Sequence, residues 1–252
     1  MAVADSKHPK YSKEDLKDLN VALVHYWLVT WRGGEKVLES LLKIFPKADI
    51  YTLFYDKKTC APYLGDRHVY SSKLDLPWLK FKYQKLFPLY PYAVDSLKLQ
   101  KKYDLILSSE SGPAKGIPNP SKIPHLCYIH SPMRYCWGFT DMYLESLPKW
   151  SRAFADRQFK KLRDWDLTTV NKVDAYLSNS NNVKDRVAQF YQREATTCYP
   201  PIALDLFENE LEKEKGEYYL SFGALTPYKA IDLLVKTFNS LDKKLVVIGD
   251  GS

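Results

Sequence analysis

A β-branched and apolar run, VALVHYWLV (Val21–Val29), leads through Gly33–Gly34 into EKVLESLLKIF (Glu35–Phe45), where Val37, Leu38, Leu41, Leu42 and Phe45 recur at helical spacing. Pro46 stops that helix, and ADIYTLFY (Ala48–Tyr55) reads as a second buried strand. Strand, glycine turn, helix, strand is a βαβ unit, and it commits the chain to a parallel sheet covered by helices. The pattern then recurs. YDLILSS (Tyr103–Ser109), HLCYIH (His125–His130), DAYLSNS (Asp174–Ser180) and EATTCYPPI (Glu194–Ile202) read as strands, and Trp150–Val170 and NVKDRVAQFY (Asn182–Tyr191) as helices. The expected fold class is α/β, with a parallel, doubly wound sheet.

Four segments are expected. Residues 1–19 form a charged, poorly ordered leader, and residues 20–203 the main α/β domain. Residues 204–216, rich in glutamate, form a solvated linker. Residues 217–252 begin a second α/β domain with YYLSFGAL (Tyr218–Leu225), IDLLVKTFNSL (Ile231–Leu241) and KLVVIGDGS (Lys244–Ser252). One βαβ unit leaves sheet edges and an apolar face uncovered, so this second domain is expected to be a truncated stub.

Composition narrows the class. Hydrophobic residues at 45% and charged residues at 27% exclude disordered and collagen-like chains. No apolar run reaches the ~18 residues of a membrane span. Met1–Asp18 has no apolar signal-peptide core, so a cytoplasmic location is expected. Cys60, Cys127, Cys136 and Cys198 form no C-x-x-C pair. Cys127 and Cys136 with His130 suggest metal ligands, but isolated reduced thiols fit better and no metal is expected. The net charge of +7 favours anionic partners: nucleic acid, nucleotide phosphates or a lipid surface.

Four constellations carry candidate chemistry. Gly33–Gly34 lie between a strand and a helix, where free amides and the helix dipole make a phosphate site; a plain tight turn is the alternative. In YIHSPMRY (Tyr128–Tyr135), His130 stands at the carboxyl end of a strand, where ligands gather in parallel sheets. A satisfied structural histidine is its alternative, and Arg134 beside it is a candidate phosphate or carboxylate contact. In GALTPYKAID (Gly223–Asp232), Lys229 near a helix start suits a diphosphate, or is a plain surface lysine. The fourth is LPWLKFKYQKLFPLYPY (Leu76–Tyr92), where Trp78, Lys80, Lys82 and Lys85 open a lysine-aromatic stretch. From Lys73 to Lys102 seven lysines face two aspartates, which suits an anionic membrane interface or single-stranded nucleic acid. Aromatics packed inward under wet lysines are the third reading. No nucleic-acid module is present, so no nucleic-acid partner is expected. The nicotinamide fingerprint is also absent.

VALVHYWLVTWRGGEKVLESLLKIFPKADIYTL, CYIHSPMRYCW, LSNSNNVKDRV, CYPPIALDLF and GALTPYKAIDLLVKTFNSLDKKLVVIGDGS follow one another in a familiar order. From about residue 20 onward the chain resembles the family-four retaining glycosyltransferases of GT-B fold. Within that family it resembles the bacterial mannosyltransferases of O-antigen and exopolysaccharide synthesis. The resemblance implies two Rossmann-like domains, the first for the acceptor and the second for a sugar nucleotide such as GDP-mannose. It implies transfer of a hexose, mannose by kinship, to a polysaccharide or lipid-linked glycan with retention, without metal or cofactor; the lysine-aromatic stretch adds to the cytoplasmic location a peripheral place on the inner face of the cytoplasmic membrane.

By the same resemblance, Gly33 and Gly34 match the glycine loop that approaches the donor diphosphate. His130 matches the histidine near the transferred sugar, and Lys229 the cation on the leaving diphosphate. His130 and Lys229 are thus the catalytic candidates. Gly33, Gly34, Glu35, Arg134 and Ser180 are the substrate-binding ones. Two departures stand out. Ala224 occupies a position that is basic in many relatives, and the glutamate pair eight positions apart in the family's donor domain is missing. The truncated chain alone is therefore expected to be inactive. A non-catalytic membrane-surface or complex-assembly module is the alternative function.

Overall fold

The computed structural model describes residues 12–204, 216–225 and 229–250. It divides into two compact units, Met1–Pro201 and Ile202–Ser252. In the first unit, β1 (Val21–His25), β2 (Asp49–Thr52), β3 (Val69–Ser71), β4 (Leu105–Glu110), β5 (His125–Ile129), β6 (Ala175–Ser178) and β7 (Ala195–Thr197) form one sheet. Its order is β3-β2-β1-β4-β5-β6-β7 and every pair is parallel. The helices in chain order are α1 (Lys13–Asp18), α2 (Gly33–Ile44), α3 (Lys57–Leu64), α4 (Pro77–Lys80), α5 (Tyr90–Asp95), α6 (Thr140–Glu145), α7 (Lys149–Thr169) and α8 (Asn181–Tyr191).

The continuous apolar run of β1 has a simple cause: the strand is buried on both faces. Ala22 and Val24 pack with Ile106, Tyr90 and Val94 on one side. Val21 and Leu23 pack with Ile50, Leu38 and Leu42 on the other. Each such aliphatic side chain contributes about 1.5–3 kcal/mol when fully buried.

The structure departs from the sequence expectation in several places. Within the expected leader, Ser12 and Asp15 form a capping box that starts α1, and Leu16 and Leu19 pack against the core. Residues 1–11 of that leader lie outside the described residues. β1 ends at His25 rather than Val29, and only a bridge from Leu28 to Tyr55 extends its pairing with β2. The three-residue strand β3 is too short to leave a periodic signal. Of Glu194–Ile202, only Ala195–Thr197 is strand.

The lysine-aromatic stretch folds as α4, a 3-10 segment (Tyr83–Leu89) and α5. It divides its aromatics. Tyr83, Phe87 and Tyr90 pack on the core, whereas Trp78, Phe81 and Tyr92 are 64%, 70% and 54% exposed. The second unit pairs β8 (Tyr219–Phe222) with β9 (Leu245–Ile248) in parallel, with α9 (Ile231–Phe238) between them in sequence. None of its described residues is fully buried. Among the described residues no helix is long and apolar enough to cross a membrane, and no group of three His, Cys, Asp or Glu is placed to hold a metal ion.

Candidate functional site

The first unit's sheet reverses direction between β1 and β4. The chain builds outward from β1 to β3, then returns to lay β4 on the other side of β1. Crevices at the carboxyl ends of strands form at such a switch point. The residues there are His25 at the end of β1, its register partner Ser109 in β4, and Glu110 beside Ile129 at the end of β5.

The loop after β1 returns as α2, and Gly34 lies against Tyr26. A Cβ on Gly34 would come 2.9 Å from the Tyr26 hydroxyl and 3.8 Å from His25 Cε1, so only glycine lets the turn close over this pair. Tyr26 in turn packs on Gly112, with Ser111 near its hydroxyl. Burial and the nearby Glu35 carboxylate push the Tyr26 hydroxyl well above its usual pKa.

Glu35 is 2% exposed and sits in the first turn of α2. Its Oε2 accepts the Arg32 amide at 2.9 Å, and its Oε1 lies 3.6 Å from Nε2 of fully buried His25. Burial alone would raise this carboxyl, but the His25 contact and the Arg32 amide outweigh it and hold it below its ordinary value. Across the crevice, the Ser109 hydroxyl meets His130 Nε2 at 3.0 Å, and the His130 amide donates to the Glu110 carbonyl at 2.7 Å. Burial, aided by the neighbouring His25, lowers His130 to about 4, so it is neutral at pH 7. A neutral imidazole and a helix N-terminus at one strand edge suit a ligand that carries phosphate and hydroxyl groups.

A profile described as Glycosyltransferase Family 4 matches residues 31–206, which hold the glycine turn, Glu35, Ser109, His130 and α8. The chain belongs to Glycosyltransferase Family 4. No curated protein matches the sequence. Among solved structures, HepE of Anabaena in complex with UDP and glucose is similar at a TM-score of 0.57 and 13% identity, covering 93% of this chain and 62% of HepE. HepE in complex with UDP-glucose gives 0.56 and 13%, covering 91% and 60%. This likeness is one of fold: α/β, Rossmann-like, of the GT-B type. The Family 4 chain spans about three fifths of the length of these structures.

Of the residues singled out in this Family 4 sequence, Gly34, Glu35 and His130 meet at the β1–β4 crevice, and Gly33 opens α2 beside them. Arg134 is exposed, and its charge reaches both Tyr26 and Arg186. Ser180 caps α8, its hydroxyl accepting the Val183 amide at 3.3 Å. Lys229 is an exposed residue of the second unit, just before α9, while its motif neighbours Thr226, Pro227 and Tyr228 lie outside the described residues. Lys82 and Lys85 are exposed as expected of a wet face. Lys80 differs: its ammonium turns inward to the Tyr55 carbonyl and to Asp75 at 3.2 Å, which removes it from the candidate membrane surface. Sequence reasoning missed His25, hidden inside an apolar run, and Tyr26, Ser109 and Ser111. The only signal was a cluster of small polar residues, SSESG (Ser108–Gly112), closing a strand.

Buried groups of the first unit titrate in opposing directions. Burial lowers His125, as it does His130, to about 4, against an ordinary 6.5. Their contribution to stability is full above pH 6.5 and is lost as pH falls through about 4. Burial raises Glu110 to about 7 from 4.5, and the nearby Asp166 charge adds to it while Lys115 opposes it. Its contribution is full below pH 4.5 and is lost as pH rises through about 7. Between those limits the unfolded chain holds two histidine protons the native chain lacks, and the native chain holds one carboxyl proton more. The net is one proton, so stability should rise by roughly 1.4 kcal/mol per pH unit. Glu110→Gln removes the opposing proton and should nearly double the slope. Urea titrations between pH 4.5 and 6.5 measure it, and an unchanged slope refutes the assignment.

Proposed function

We propose that this chain carries the acceptor-side domain and the start of the donor domain of a retaining glycosyltransferase. The donor is a sugar nucleotide, GDP-mannose by the sequence resemblance. The acceptor is a polysaccharide or lipid-linked glycan at the inner face of the cytoplasmic membrane. The observation that carries this reading is the glycine turn of a Family 4 chain, set at the switch point of its sheet beside a neutral histidine. HepE, of similar fold, was solved with UDP and glucose and with UDP-glucose, which supports a sugar nucleotide as the donor class.

The mechanism is electrostatic. As the bond from sugar to phosphate breaks, negative charge grows on the leaving diphosphate. Amides at the start of α2 stabilise that charge more in the transition state than in the ground state. His130, neutral and anchored by Ser109, is a hydrogen-bonding partner for the transferred sugar. The acceptor hydroxyl attacks from the face the leaving group vacates, so configuration is kept. The test gives radiolabelled GDP-mannose and UDP-glucose, with a lipid-linked glycan pool, to the complete product of the gene. Mannose transfer with retention is expected, and His130→Ala should lower kcat by about 100-fold. An inverted product, or no transfer from any sugar nucleotide, refutes the proposal.

A second reading, a non-catalytic membrane-surface module, is favoured by one observation. Trp78 and Phe81 are largely exposed beside exposed Lys82 and Lys85. Aromatic rings with basic stems suit an anionic interface, where each lysine near the surface is worth about 1 kcal/mol. Lys82→Ala with Lys85→Ala should weaken binding to phosphatidylglycerol vesicles roughly 30-fold at low salt. Failure of the unaltered chain to sediment with vesicles at low salt removes this surface from consideration. It would leave the transferase reading standing.

A further inference from the structure

We propose that His25 is a positioning residue for the glycine turn, acting through Glu35, and that it takes up a proton from solvent when a phosphate group binds there. This rests on the reading of the turn as a diphosphate site and adds a residue to which neither motif nor family match assigns a role.

The observation behind it is an unsatisfied ring. His25 is fully buried, and neither of its ring nitrogens has a hydrogen-bond partner. Buried polar atoms are nearly always paired, so an orphaned imidazole at a candidate site asks for a reason. Its Nε2 faces Glu35 Oε1 at 3.6 Å, beyond a hydrogen bond but within ion-pair range. Its Cε1 lies beneath Gly34.

The charges supply the reason. Glu35 already places one carboxylate at the N-terminus of α2, where its Oε2 takes the Arg32 amide. A phosphate bound to the amides of Gly33 and Gly34 adds a second anion to the same terminus. Like charges brought together in a poorly solvated place repel strongly. A proton on His25 offsets the added charge and lets Nε2–H close on Oε1, which keeps the carboxylate on Arg32 and away from the ligand.

The groups around His25 leave it as the acceptor of that proton. Tyr26 stacks at 4.5 Å between ring centroids, with its hydroxyl proton held firmly. Ser109 in β4 does not titrate. His130, beyond β5, is held neutral by burial. Cys60 in α3, which feels Glu35, is kept protonated by burial.

The test uses inorganic pyrophosphate and the 252-residue chain labelled with nitrogen-15. The chain has five histidines, so each ring can be followed in long-range proton–nitrogen spectra at pH 7. Pyrophosphate should shift the Gly33 and Gly34 amides and move both His25 nitrogens to imidazolium positions, with His130 left neutral. Glu35→Gln should abolish the His25 change, and His25→Gln should weaken pyrophosphate roughly tenfold. If His25→Gln does not fold, the spectrum of the unaltered chain decides. Shifted glycine amides with an unchanged His25 ring overturn this inference alone. No shift at those amides overturns the diphosphate reading and this inference together.

Discussion

Lys115→Met is expected to cost the first unit about 3–5 kcal/mol of stability, enough to leave many domains largely unfolded. Lys115 is fully buried, in a short 3-10 turn after β4. Its ammonium is paired with Asp166 of α7, with Glu110 at 3.4 Å and with the Tyr191 hydroxyl of α8 at 3.3 Å. Asp166 also accepts from Trp137 Nε1 and the Tyr191 hydroxyl, each at 2.8 Å. Although burial disfavours the ammonium, the Asp166 carboxylate above all holds it protonated, above its ordinary pKa.

Methionine fills similar space but removes the only positive charge in this cluster. The buried Asp166 carboxylate is then left beside the Glu110 carboxyl without its cation, and breaking a buried pair this way costs far more than the pair contributes net. Adding Asp166→Asn removes the stranded charge. The double variant should therefore be no less stable than Lys115→Met, although Lys115→Met and Asp166→Asn each destabilise alone. Urea unfolding measures all three, and a loss under about 1 kcal/mol for Lys115→Met would show the ammonium to be dispensable. The consequence reaches the site. Glu110 presents its carbonyl to the His130 amide, and residues 111–117 carry Ser111 and Gly112 against Tyr26. This ionic cluster is what holds the β4 side of the crevice in place.

Why that cluster left no mark in the sequence is a matter of range. Lys115 and Asp166 are 51 positions apart, and each reads locally as an ordinary surface charge. Periodicity reports which way a residue faces along its own element, not which distant residue it meets. By contrast, β1 and α2 were legible because burial on two faces, or on one stripe, repeats along the chain. His130 was legible because it follows a strand whose end a parallel sheet turns into a ligand edge. His25 was not, because one polar letter inside VALVHYWLV does not disturb a strong apolar pattern. The lysine-aromatic stretch was ambiguous for a related reason. Its helices α4 and α5 are only four and six residues long, too short for a period to say which rings face the core.

Gly34→Ala should destabilise the native chain by about 1–3 kcal/mol and abolish most phosphate binding, yet be tolerated when Tyr26 is phenylalanine. The added methyl group would stand 2.9 Å from the Tyr26 hydroxyl, closer than real carbon contacts allow, but 3.8 Å from the ring carbon that bears it. Removing that one oxygen turns a clash into ordinary van der Waals contact. Tyr26→Phe alone removes the hydroxyl beside Ser111 and should cost at most about 1 kcal/mol. If the clash is the cause, the two costs do not add, and a double-mutant cycle should return a favourable coupling of about 1–2 kcal/mol. Additive losses would mean that Gly34 is required for its backbone conformation rather than for closeness. Its position speaks against that, since Gly34 is a helical residue near the start of α2 and has no positive φ. Binding separates the two roles further. If closure of the turn over Tyr26 is what aims the amides, the double variant should recover pyrophosphate affinity along with stability. Stability restored without binding would mean that the Tyr26 hydroxyl itself belongs to the anion site.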